Sequence, residues 1–361
     1  MSKPAYYLIV GALLAGSACH KEVETIVVQE VDKVYSWAEA GQLTGTSQYI
    51  LNMGKDTQAL YLQTPFNLGI VRPQGKNGYY AQTGAGLPTD VTLHIPISPL
   101  FIAYPQRDTL IEIIRTTEPV TNSLSTTINL RQLDRRITGV MTNTSNAEKP
   151  FAAINRNNYL LLSYRTTYGV DPNVHFVLAQ LSVQAGGKVQ AQARLATALK
   201  LNPTESGELR WLVAIDDYFL AGCGDSVYKI TQDGTAKRVA GGGTFDTCYK
   251  WQGVIYVLQE YNALLLSKDD GETWQRSTGA PDTFTFSTYH VVSDSLIGIS
   301  SGNIFTLKWK GTDYTIRALK NDGFGQRTIT SMEQLGDTVY VGTTGGLFKR
   351  PLSKFFESKP K

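Results

Sequence analysis

Asp217-Tyr218-Phe219-Leu220-Ala221-Gly222, Gly253-Val254-Ile255-Tyr256-Val257-Leu258, Asp294-Ser295-Leu296-Ile297-Gly298-Ile299 and Asp337-Thr338-Val339-Tyr340-Val341-Gly342 are four versions of one phrase. Each opens on a turn residue and continues as an apolar strand. Their starts lie 36, 41 and 43 residues apart. Looser copies begin at Gln58, Asp108 and Asn158, with wider spacing that implies insertions. The surrounding chain is rich in Thr, Val, Tyr, Leu and Gly, in short alternating runs between turn signals. That pattern predicts an all-β chain.

A period near 40 residues with about four strands per unit is the signature of a β-propeller. A single such unit cannot bury both its faces; stacking units around an axis does so and leaves only short edges. Seven four-stranded blades are counted, with six or eight as neighbouring solutions. The clearest blade has its inner strand near 247–251, then strands at 254–259, 263–266 and 273–276. The last unit lacks an outer strand, because Pro351 begins a polar tail. Residues 23–31, Val-Glu-Thr-Ile-Val-Val-Gln-Glu-Val, are expected to fill that place or to start the first blade.

Ser267-Lys268-Asp269-Asp270-Gly271-Glu272-Thr273-Trp274 lies between the third and outer strands of the clearest blade. Asp269 is suited to accept from turn amides, Gly271 to a conformation costly for other residues, and Trp274 to cover the turn. With Ser267 and Thr273, the stretch resembles the Asp box of sialidase-like propellers, which also occurs in photosystem II assembly factors. In those families the box is structural, and that is its expected role here.

The N-terminus has a different character. Residues 5–15 are uncharged and too short to span a bilayer, and Gly16-Ser17-Ala18-Cys19 follows. This matches a secretory signal. Cys19 resembles the lipidated cysteine of bacterial lipoproteins. The usual Leu three places earlier is replaced by Gly16, as in the relaxed boxes of Bacteroidota-like bacteria. The resemblance implies removal of residues 1–18, a lipidated Cys19 with a short tether over 19–22, and a propeller over 23–361. It also implies export and anchoring to the outer membrane, on the periplasmic or surface side. Lys21, Glu22 and Glu24 resemble a surface-export tag.

Removing Lys3 with the leader lowers the net charge from +3 to +2. Near neutrality gives no electrostatic basis for binding nucleic acid. Export permits a disulfide, and Cys223 and Cys248 are the only internal pair for one. His20, His94, His175 and His290 are far apart in sequence and predict no metal site; each is expected at a tether, turn or surface position. No catalytic motif or cofactor cradle is visible. Gly241-Gly242-Gly243 reads as a connection between blades. Sialidases need three arginines, a Tyr-Glu pair and an acid. Their first arginine has its nearest counterpart in Ile70-Val71-Arg72-Pro73, a third-strand position.

Propellers bind on the face made by second-to-third-strand loops and blade connections. Arg165, Tyr168 and Asp171 fall on the longest such loop, Glu260 and Tyr261 on another, and Arg327 on a connection. Arg and Tyr are enriched in interface hot spots. The predicted function is a membrane-anchored, non-enzymatic binding or assembly module for a protein or glycan. The alternative is a sialidase-like glycan hydrolase.

Overall fold

The second strand of the fourth unit, Tyr218–Cys223, is buried along its whole length. Its side chains alternate as a strand's must. Tyr218 and Leu220 join an apolar layer with Phe245, Ile255 and Val257 of the next unit. Phe219, Ala221 and Cys223 join one with Leu161, Phe176 and Leu178 of the unit before. A sheet that is apolar on both faces needs a neighbour on each side, and seven such sheets satisfy this in a ring.

The computed structural model describes residues 36–359, apart from 41–47, 66, 74–77, 83–93, 108, 117–123, 141–151, 167–172, 200–208, 260–262, 279–287, 301 and 311–312. Each blade is antiparallel and runs from the axis outward. Blade 1 is Asn52–Lys55, Leu60–Gln63, Asn67–Val71 and Gly78–Gln82. Blade 2 is Phe101–Arg107, Leu110–Arg115 and Thr126–Asn129; Ile97 bridges to Ile102 and holds its inner place. The copy beginning at Asp108 therefore falls on a third strand, although in blades 4–7 the phrase is the second. Blade 3 is Ala152–Ile154, Tyr159–Thr166, His175–Val183 and Val189–Leu195, with Ile137–Val140 prolonging its inner line. Blade 4 is Leu209–Ile215, Tyr218–Cys223, Ser226–Ile230 and Ala236–Gly241. Blade 5 is Phe245–Trp251, Val254–Gln259, Ala263–Ser267 and Gln275–Thr278. Blade 6 is Thr288–Val292, Ser295–Ser300, Asn303–Lys310 and Asp313–Ala318.

In blades 4–7 the first hairpin turns through a residue of positive φ: Asp216, Gln252, Ser293 and Gly336, at 47–56°. This recurrence fixes the start of each phrase.

Blade 7 closes the ring. Its own strands are Ile329–Leu335, Thr338–Thr343 and Gly346–Pro351, and its outer strand is Ala38–Glu39. Residues 23–31, expected in that place, lie outside the described residues. Trp37 is 2% exposed, with its ring 5.0 Å from Phe324 and edge-on to Phe355. Its Nε1 donates to the carbonyl of Lys320. Arg350, buried beside it, donates to Glu357 and to the same carbonyl. The tail after Pro351 is not the free polar segment expected. It makes a helical turn, Leu352–Phe355, that buries Phe355 completely. Ser358 then bridges to Leu319 on the outer edge of blade 6. Each end of the described chain thus covers a sheet edge that would otherwise invite pairing.

Cys223 and Cys248 are both buried. Cys223 faces blade 3, whereas Cys248 lies in the layer between blades 4 and 5. The sheet of blade 4 stands between them, so the candidate disulfide is not formed. The expectation for the histidines also fails in two cases. His290 lies on the inner strand of blade 6 and His94 leads into the inner segment of blade 2. Burial depresses both to a pKa of about 4. His175 sits on a third strand, stacked on Tyr164. His20 lies outside the described residues.

Candidate functional site

The inner strands carry a feature that repeats as faithfully as the hairpin turns. In blade 4 Leu209 pairs with Cys223 and Trp211 with Gly222, so Arg210 is skipped. In blade 5 Phe245 pairs with Gln259 and Thr247 with Leu258, so Asp246 is skipped. Thr330 is skipped in blade 7 and Thr138 in blade 3. Four inner strands therefore bulge at one equivalent place. A bulge inserts an unpaired residue, re-aims its side chain and is common beside functional sites. The residue before each bulge is an apolar anchor buried in the core: Ile137, Leu209, Phe245 and Ile329. The bulged residues themselves are polar and half-buried.

All four bulges lie at the same end of the axis. Their partners, Thr166, Cys223, Gln259 and Thr343, each directly precede a second-to-third-strand loop. This is the face expected to bind. The two hydroxyls bond to backbone: Thr330 Oγ1 to the carbonyl of Ile50 at 2.6 Å, and Thr138 Oγ1 to that of Arg165 at 3.3 Å. Arg210 and Asp246 bring opposite charges on adjacent blades. Trp211 Nε1 donates 3.0 Å to the carbonyl of Phe245, tying the residue after one bulge to the residue before the next. At the rim beside them Arg238 pairs with Asp225, and Gln259 and Arg276 donate to the carbonyl of Gly242.

Gly222 makes this tie possible. A Cβ there would stand 2.3 Å from the Trp211 indole. Gly222→Ala is expected to cost about 1–3 kcal/mol through overpacking. A lower denaturant midpoint with a shifted Trp emission would register it; an unchanged midpoint would show that the indole is not fixed.

Of the residues expected on this face, Arg165 is exposed and borders the blade 3 bulge. Tyr168, Asp171, Glu260 and Tyr261 lie outside the described residues. Arg327 is taken up by ring closure: it pairs with Glu39 at 3.5 Å, donates to the Phe324 carbonyl and lies over Phe348. Residues 70 and 71 lie on the third strand of blade 1, away from the axis.

On the opposite face charges satisfy one another. Lys250 lies 2.5 Å from Asp216 and 2.7 Å from Asp270, and Arg156 3.6 Å from Asp216. The 267–274 turn on that face is closed by its own bonds. Asp269 accepts from Ser267 and from both the backbone and hydroxyl of Thr273; Ser267 accepts from Gly271 N–H; Trp274 donates to the Gly271 carbonyl. These bonds hold the Asp269 carboxyl at a pKa of about 2. Among the described residues no group of three His, Cys, Asp or Glu could hold a metal ion.

Seven antiparallel sheets, closed through the outer strand of the last, decide the architecture. The chain is a seven-bladed β-propeller. No family model and no curated protein matches its sequence. Solved structures share its fold at low identity. The extracellular domain of a putative one-component system from B. thetaiotaomicron superposes with TM-score 0.53 at 13% identity over 91% of this chain. The match covers 44% of that protein, so this chain spans less than half its length. YCF48 bound to D1 peptide gives 0.52 at 12% identity, over 89% of this chain and 98% of the other. A catalytically inactive virginiamycin B lyase from Staphylococcus aureus gives 0.51 at 10%, over 87% and 97%. An extracellular domain, a peptide-bound protein and a lyase share the architecture, so the fold alone selects no activity.

Proposed function

We propose that this chain is an exported, lipid-anchored binding or assembly module that holds a polypeptide partner at the axis end marked by the bulges. The observation that carries this reading is the recurrence of polar, half-buried residues at Thr138, Arg210, Asp246 and Thr330. A strand that served only packing would continue its alternation there. The pairing of charges on the opposite face adds support. YCF48, of similar architecture, was solved with a D1 peptide, and this supports a polypeptide partner.

The anchor is Cys19, exposed by removal of residues 1–18. The closing strand begins only at Ala38, so residues 20–35 lie between the lipid and the ring. Fully extended, they reach at most about 55 Å. That length is an upper bound on how far the propeller can stand from the bilayer when it meets a partner in the periplasm or outside the cell.

A photo-crosslinking residue at position 138 of the full chain, in its own cells, should yield a protease-sensitive adduct. The same residue at position 237, on the outer strand of blade 4, should yield none. Adducts from neither position, or equally from both, would sink the reading. Turnover of a fluorogenic sialoside by the purified chain would replace it with the hydrolase. Mass spectrometry of the same material should find a diacylated Cys19, and an unmodified cysteine would remove the anchor.

A further inference from the structure

We infer that the outer strand of blade 3, Val189–Leu195, pairs edge to edge with the same strand of a second copy of this chain, antiparallel and about a twofold axis at Ala193. The hydrogen-bond parity of the strand is fixed at both ends. Ala196 N–H donates to the carbonyl of Phe176, and Gln184 N–H donates to that of Lys188. In the register of this hairpin Gln190, Gln192 and Arg194 therefore turn their backbone groups toward the third strand, and Val189, Ala191, Ala193 and Leu195 turn theirs outward. Val189 N–H is taken by the carbonyl of Leu124. Beyond Leu195 the chain turns away, and Thr197 N–H donates to the carbonyl of Gly234 in blade 4. Among the described residues, the outward N–H and C=O groups of Ala191, Ala193 and Leu195 form an open edge.

Other outer strands are protected. That of blade 7 is Ala38–Glu39 itself, and that of blade 6 is covered by the tail, where Lys359 N–H donates to the carbonyl of Ala318. In blade 4 the outer strand carries Lys237 and Arg238, and in blades 2 and 5 it is four residues long. The blade 3 strand is seven residues long, with no proline and a single charge. Such an edge is a template for a further strand. Its own pattern selects a second copy. A twofold axis at Ala193 opposes Ala193 to itself and Ala191 to Leu195, so the outward groups of all three find partners in an isologous pair. Arg194 then stands across from a neutral Gln192 and not from its own counterpart, which avoids a like-charge contact. Leu195, left 43% exposed on the single copy, comes to lie beside the small Ala191 of the other.

The mature chain in detergent should sediment as a dimer whose fraction rises with concentration. Ala193→Pro removes an N–H that points outward and spares the ladder to the third strand. Leu195→Lys puts a charge at an exposed position of the same edge. Each should raise the dimer Kd at least tenfold, and Leu195→Lys decides the matter where the proline variant fails to fold. Opposed residues of a hydrogen-bonded pair stand about 5.5 Å apart at Cα, within disulfide reach. In its own cells the full chain carrying Ala193→Cys should therefore run as a disulfide-linked dimer on a non-reducing gel. Lys237→Cys, on the outer strand of blade 4, should give no more dimer than wild type. A monomer at every concentration, a dimer that Leu195→Lys leaves within twofold of wild type, or an Ala193→Cys chain that stays single or bonds to a different polypeptide would each overturn the inference. None of these outcomes touches the axis face, which the adduct at position 138 tests separately.

Discussion

A chain shortened to begin at Gly41 should lose a large part of its stability, whereas one beginning at Lys33 should melt as the mature chain does. The first truncation removes Trp37 and the outer strand Ala38–Glu39; the second leaves both. Removing a buried tryptophan side chain costs about 3–5 kcal/mol. Trp37 also donates to Lys320, and its ring lies between Phe324, Phe355 and the Arg350 guanidinium. The outer edge of Gly346–Pro351 would be exposed as well, adding a tendency to associate through open edges. Against a total of about 5–15 kcal/mol for a folded domain, this is a major fraction. Trp37→Ala alone should reproduce most of the loss while keeping the strand, which separates clasp from ladder. Equal stability of all three chains would show that the ring does not depend on its N-terminal strand.

How the ring is closed was half legible in sequence. A missing outer strand in the last unit followed from the repeat, because each blade needs four strands and Pro351 interrupts the seventh. Which segment supplies it did not follow. Residues 23–31 alternate well, but Ala38–Glu39 is only two residues long and is held by Trp37 and the docked tail. Short strands chosen by tertiary contacts leave little trace in local pattern. By contrast, the strands of blade 5 match the expected 254–259 and 263–266 closely, because turn residues bound them on both sides.

The proposed binding face was legible as a face, not as a site. Loops between second and third strands follow from the repeat, and Arg165 stands beside one of them. The bulges were hidden because a bulge is a property of pairing, visible only against the partner strand. Leu-Arg-Trp at 209, Phe-Asp-Thr at 245 and Ile-Thr-Ser at 329 read as ordinary alternation. A signal was nonetheless present. The repeated phrase ends in Gly at 222 and 342, and each glycine pairs with the residue just after a bulge. Its cause, the approach of Trp211 or of Ser331 and Ile50, is long-range. Strand parity could also have separated Cys223 from Cys248, since Cys223 shares the side of Phe219 and Ala221.

Stability should fall steadily between pH 6.5 and 4, and His94 and His290 should account for the fall. Both are held near a pKa of 4 in the folded ring because burial disfavours the cation, against about 6.5 when unfolded. Between these values the unfolded chain binds more protons than the folded one. The stabilisation is therefore complete above 6.5 and is lost as pH falls toward 4. A shift of this size corresponds to at most about 3 kcal/mol per histidine. Glu272 and Glu357, both lowered by lysine partners, add to the fall only near its acid end; the remaining groups act outside this window or in the opposite sense. Asp269, with a folded pKa of about 2, gives up its contribution only below the unfolded carboxylate range. Glu333, paired with Lys55, has its pKa raised by burial, so its protonation favours the folded ring as pH falls. Denaturant midpoints of wild type and His94→Asn/His290→Asn across pH 7 to 4 separate these contributions. The double variant should show a flat profile or a slight rise toward acid. A slope equal to that of wild type would move the acid sensitivity away from the two histidines.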